Sequence, residues 1–97
     1  MAAIIWSNAA IESIASIAEY IAQNSFRYAQ LTVEQIFSRV KVLESQPFSG
    51  HIVPEINNQN IREIHYKSYR IIYRIAEENN VEIITVHHFS KQLGIDF

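Results

Sequence analysis

The chain has no cysteine, which removes thiol nucleophiles, disulfides and zinc–thiolate sites at once and leaves the compartment unmarked by redox chemistry. Only two glycines and two prolines occur, so flexible tails are excluded and short loops are expected. There is no cationic excess: eight Lys and Arg stand against ten Asp and Glu. Without a global basic field, any nucleic-acid contact must be local. A membrane-spanning apolar run is also missing. The opening Met1-Ala2-Ala3-Ile4-Ile5-Trp6 carries no basic residue, and Glu12 interrupts the apolar residues after it. The expectation is a cytoplasmic protein with no membrane partner.

The residues present are largely apolar and aromatic, at 48% and 11%, in a chain of 97. That composition predicts a single domain over 1–97 with one core, too small for an elaborate enclosed active site. A grooved surface is the expected working part.

Ala3 to Trp6 is short, apolar and rich in Ile, which suits an edge strand. Ser7 or Asn8 can cap a helix in which Ala10, Ile14, Ile17, Ala18 and Ile21 recur at helical spacing. Asn24-Ser25 breaks that helix and caps the next. The second helix carries Ala29, Val33, Ile36, Phe37, Val40 and Leu43 on one stripe and ends before Pro47. Two helices joined by a short break form an antiparallel hairpin. The strand after them should run antiparallel to Ala3–Trp6 if the two are neighbours. His51 to Asn60 is polar and amide-rich, with Asn57 to Asn60 as the expected loop.

Three strands complete the chain, Ile61 to Tyr66, Tyr69 to Ala76 and Val81 to His88. A two-residue loop at Lys67-Ser68 sets Tyr66 opposite Tyr69, His65 opposite Arg70, Ile64 opposite Ile71 and Arg62 opposite Tyr73. Ile64, Tyr66, Tyr69, Ile71 and Tyr73 then face the core. Glu63, His65, Arg70 and Arg74 form a charged platform around Ile72 on the other face. A four-residue loop, Glu77 to Asn80, pairs Arg70 with His87, Ile72 with Thr85 and Arg74 with Ile83. His87 joins the platform, and Ile84, Val86 and His88 fall on the core face. The expected class is α+β: an N-terminal strand, an antiparallel two-helix hairpin and a three-stranded antiparallel sheet with one face uncovered. Glu63 lies diagonal to both Arg70 and Arg74, within reach of long side chains. His87 and His88, adjacent in a strand, point to opposite faces and cannot jointly chelate an ion, so neither metal nor cofactor is expected.

Tyr69-Arg70-Ile71-Ile72-Tyr73-Arg74, preceded by Arg62-Glu63, by Pro47-Phe48-Ser49-Gly50 and by Pro54-Glu55, resembles the RelE/ParE superfamily of type II toxin–antitoxin toxins. The resemblance runs from Trp6-Ser7 and Glu19-Tyr20-Ile21-Ala22, through Ala29, to Val86-His87-His88 with Lys91 and Leu93. It implies a RelE/ParE-like fold, a cognate antitoxin as partner, and one of two targets.

In the ribosome-dependent messenger RNA endonucleases of the superfamily, the position of Arg70 holds an arginine that contacts the scissile phosphate, where a guanidinium stabilises developing charge. Glu55 matches the segment in which the YoeB branch places a general base for a ribose 2′-hydroxyl. For the general acid, strand geometry points to His87 beside Arg70, whereas the superfamily's C-terminal pattern aligns with His88 and Lys91. The YoeB-type His and Tyr ending is absent, with Phe89 and residues 94–97 in that region. Glu63 and His65 stand where cations would hold message.

The helical hairpin, with its Tyr-Ile-Ala ending and early alanine in the second helix, is most similar to the ParE branch, whose members poison DNA gyrase. The expected function is that of such a toxin, with Glu63, His65, Arg70, Arg74 and Lys91 as target-binding platform and no catalytic residue required. A ribosome-dependent endonuclease using Glu55, Arg70 and a histidine is the alternative. An inactive member that only binds antitoxin is the third reading.

Overall fold

The structure, a computed structural model, describes residues 2–90. Strand β1 (Ile4–Trp6) leads into helix α1 (Asn8–Ala22), which turns into α2 (Phe26–Lys41) and a 3₁₀ turn at Val42–Glu44. Serines start both helices. The Ser7 Oγ accepts from the Ala10 amide at 3.0 Å and the Ser25 Oγ from the Tyr28 amide at 3.1 Å, each satisfying an orphan donor of a first turn. Ser7 Oγ also donates to the Ile84 carbonyl at 2.9 Å, so the cap pins the helix start to the sheet.

The remaining strands are β2 (His51–Ile52), β3 (Ile61–Tyr66), β4 (Tyr69–Ile75) and β5 (Val81–His88), in one five-stranded sheet of order β1-β5-β4-β3-β2. The α+β class agrees with the sequence, and the sheet is larger and mixed. β1 lies beside β5 in parallel, Ile4 opposite Val81 and Trp6 opposite Ile83, while every other pairing is antiparallel. The reversal expected of an up-and-down helix pair falls on β2, at the far edge. Three further reversals bring β5 back to β1 in the same direction. β2 itself lies in the polar stretch where no strand was expected.

The β3–β4 register is the one that a Lys67-Ser68 loop dictates, with Tyr66 opposite Tyr69, His65 opposite Arg70 and Arg62 opposite Tyr73. Between β4 and β5, Arg70 pairs with His87 and Ile72 with Thr85, after which a bulge between Ile72 and Tyr73 shifts the ladder. Tyr73 therefore faces Ile83, and Arg74 faces Glu82 rather than the Ile83 expected from loop length. The extra residue in β5 turns Ile84 away from the helices, correcting its assignment to the helix-facing core.

The main core lies between helices and sheet. Ala10 and Ile14 of α1 and Ile36 and Val40 of α2 pack on Ile64, Ile71, Tyr73, Ile83 and Val86. Thr32 is buried on α2, whereas Phe37, placed on the core stripe by spacing, stays partly exposed with its ring 4.7 Å from that of Trp6. A second, smaller cluster occupies the opposite face of the sheet. Val53 and Ile72 are wholly buried there with Ile61, and Ile56 and Ile84 pack against them. Each such burial removes apolar area worth about 1.5 to 3 kcal/mol per side chain. The face expected to be uncovered is thus partly roofed by the segment after β2, held by the Val53 amide on the Ile61 carbonyl at 3.2 Å. No helix among the described residues is long and apolar enough to cross a membrane.

Candidate functional site

Beside that small cluster the same face carries a shallow cleft of about 440 Å³, lined in part by Glu55, Glu63, His65, Arg70 and Phe89. β4 delivers Arg70 and β3 delivers Glu63 and His65. Glu55 arrives from the loop after β2. Glu63 and Glu55, 7 and 15 positions from Arg70 in the chain, meet on its one guanidinium.

Arg70 is gripped on two sides. On the inner side Glu63 takes its Nε at 2.8 Å and its Nη2 at 2.7 Å. On the outer side Glu55 takes Nη1 at 2.6 Å and Nη2 at 2.9 Å. Both are two-point pairings of planar groups, the strongest geometry available to this ion pair. The His65 Nε2 lies 2.6 Å from Glu63, and the Phe89 ring lies 5.9 Å from the guanidinium carbon, edge-on to the His65 ring. Arg70 and Glu63 are buried, at 8% and 4% exposure, and among the described residues no buried side-chain polar atom lacks a partner.

The electrostatics derive from these contacts. Hydrogen bonds from Arg70 hold the Glu55 carboxyl down at about 2, well below the ordinary 4.5, with a smaller contribution from His87 nearby. For Glu63, burial pushes the pKa up, and the hydrogen bonds from Arg70 and His65 outweigh it, so the group lies below the usual carboxylate range. Hydrogen bonds to Glu55 and then Glu63 raise Arg70 further above its already high value. The cleft therefore holds two carboxylates and one guanidinium, all charged at neutral pH.

The other residues singled out by sequence separate. His87 lies opposite Arg70 in the ladder and near Glu55. His88 faces the helices, its ring edge-on to Tyr69 at 5.3 Å and its Nδ1 accepting from the Ser90 amide at 3.0 Å. It does not join the cleft. Arg74 pairs with Glu82 at 3.2 Å and not with Glu63, because the bulge places Arg74 and Glu82 side by side. The platform, on the face expected to be uncovered, is buried at its centre, at Arg70 and Glu63. Lys91 lies outside the described residues. Among those described, no group of three or more His, Asp or Glu could hold a metal ion.

Phe89 and His51 are among the cleft residues that escaped the sequence reading. Phe89 has the same strand parity as His87, and alternation continued by one step would have found it. His51, 6.5 Å from His65 between ring centres, sits in β2 and carried no signal in a polar stretch where no strand was expected.

A search of curated protein sequences finds no match. Among solved structures, a chain described as "Chromosomal ParDE TA system from P. aeruginosa" superposes with a TM-score of 0.74 at 18% identity, covering 91% of this chain and 96% of that one. At that identity the likeness concerns the fold. The family described as ParE toxin of the type II toxin-antitoxin system parDE matches residues 4–93, nearly the whole length. The chain belongs to the ParE toxin family.

Proposed function

We propose that this ParE-family protein is the toxin of a type II toxin–antitoxin module, that it acts in the cytoplasm by binding and inhibiting DNA gyrase, and that a cognate antitoxin neutralises it. The observation that carries this reading is the two-sided grip on Arg70. While Glu55 and Glu63 together take up its Nε, Nη1 and Nη2, Arg70 has little left for a scissile phosphate. A carboxyl group held at about 2 is also a poor base for a ribose hydroxyl at neutral pH, since efficient proton transfer favours a pKa near the working pH.

The surroundings point the same way. Arg62 is spent on the Gln59, Phe48 and Gly50 carbonyls, and Arg74 on Glu82. Phosphate binding strengthens with each cation engaged, and few remain to engage. His65 and Arg74, both exposed, are the platform residues best placed for a protein target. The alternative, a ribosome-dependent messenger RNA endonuclease, draws on Glu55, Arg70 and His87 sharing one region.

Two assays on the purified chain separate the readings: supercoiling by purified gyrase, and primer extension on messages under translation. Inhibition of supercoiling without message cleavage is the expected result. Cleavage at ribosomes with gyrase unaffected would establish the endonuclease instead, and inertness in both would leave only antitoxin binding.

A further inference from the structure

Glu63 and Glu55 hold Arg70 in different ways. Glu63 projects from a strand, its side chain is 5% exposed, and it is part of the sheet's packing. Glu55 comes from a loop, its side chain is 45% exposed, and it covers only the outer edge of the guanidinium. Removing Glu55 would leave the Nη1 and outer Nη2 donors of a permanently charged group facing a 440 Å³ cleft. We propose that this cleft is a masked carboxylate-binding site, in which Glu55 is a built-in occupant that an acidic side chain of a protein partner displaces.

The charge balance selects the ligand. With Glu55 swung away, the positive charge of Arg70 is balanced by Glu63 beside it, so the vacated edge has no net positive charge with which to hold a second negative charge and suits a monoanion better than a dianion. Two coplanar oxygens fit the Nη1/Nη2 edge as the Glu55 carboxylate fits it now. The walls, Ile52, Pro54 and the ring of Phe89, suit the methylene stem of Asp or Glu. A nucleic-acid strand presents a phosphate at every step and requires several cations in a row. Here Arg62 and Arg74 are already paired. Exchange of one carboxylate for another leaves the buried Arg70–Glu63 pair intact throughout. The proposal is independent of whether gyrase or the ribosome is the target.

The test tracks the Arg70 Nε–H resonance by NMR in the wild-type chain and in Glu55→Ala, both checked for fold by circular dichroism. The probes are acetate, inorganic phosphate and a short single-stranded RNA. Acetate should shift the resonance in Glu55→Ala with an affinity about tenfold or more above that of the wild type, since the variant lacks the competing carboxylate. Phosphate should do no better than acetate, and RNA should leave the resonance in place. Should Glu55→Ala fail to fold, Glu55→Gln keeps the bulk without the charge and is held to the same comparison. Equal acetate response in wild type and variant would overturn the proposal. A stronger response to RNA than to acetate would also overturn it, by showing a nucleic-acid site.

Discussion

The Gly50 amide donates to the Tyr73 hydroxyl at 3.0 Å, and that hydroxyl donates in turn to the Pro47 carbonyl at 2.7 Å. One tyrosine in the second strand of the hairpin thus closes the Pro-x-x-Gly turn on itself. A Cβ on Gly50 would stand 2.5 Å from that hydroxyl and 2.6 Å from the Glu63 carbonyl oxygen. The glycine is required by close approach, since its backbone is not left-handed. Gly50→Ala should therefore destabilise the fold by about 2 to 3 kcal/mol, the cost of overpacking against backbone. An unchanged urea midpoint would contradict this contact.

Tyr73→Phe keeps the ring and orphans two backbone groups, so a loss of about 1 to 3 kcal/mol is expected. Tyr73→Ala also empties a fully buried site and should cost about 3 to 5 kcal/mol. Tyr69 is only partly buried, so Tyr69→Ala should cost less than Tyr73→Ala. Denaturation midpoints of the three variants check the order, and a larger loss at Tyr69 would mean that Tyr69, rather than Tyr73, anchors the core.

Glu63 and Glu55 should differ in weight. Glu63→Ala leaves a buried guanidinium partly unpaired and should cost about 3 kcal/mol or more. Glu55→Ala breaks a pair open to solvent and should cost about 1 kcal/mol or less. Equal losses in urea titration would argue that Glu55 is as integral to the fold as Glu63.

Acid should weaken the protein through these same groups. Both carboxyls lie lower in the folded chain than their ordinary 4.5, Glu55 at about 2. Their stabilising contribution is fully present above the unfolded value. It disappears as pH falls from about 5 toward 2, where the unfolded chain takes up protons first. Melting temperatures between pH 7 and pH 2 should fall less steeply for Glu55→Gln than for the wild type. Parallel curves would show that the Glu55–Arg70 pairing does not exist in solution.

If gyrase is the target, Glu55→Gln and His87→Gln should leave growth inhibition largely intact, since neither proton transfer is used. An endonuclease losing its base or acid should instead lose about 10²-fold to 10⁴-fold in cleavage rate. Folded variants that no longer stop growth, together with message cleavage by the parent, would favour the endonuclease.

The hairpin was legible in the chain itself. Strand side chains alternate with a period of two, and a two-residue loop leaves one register, so Arg70 falls opposite His65 without reference to the rest of the fold. The helix caps at Ser7 and Ser25 are equally local, since each serine satisfies an amide three residues on. Three features required the folded chain. The bulge at Ile72/Tyr73 depends on how two strands share twist, and it moved Ile84 to the second face and Arg74 to Glu82. The roof over Ile72 depends on Val53, one of a few apolar residues in a polar stretch, whose cluster partners Ile61 and Ile72 lie in two later strands. The grip of Glu55 on Arg70 depends on that roof, because burying Val53 carries the loop across the sheet and brings a carboxylate from 15 residues away onto the guanidinium. Alternation and capping act over neighbouring residues and can be read in order, whereas the closing of a loop over a sheet is decided by packing among residues far apart in the chain.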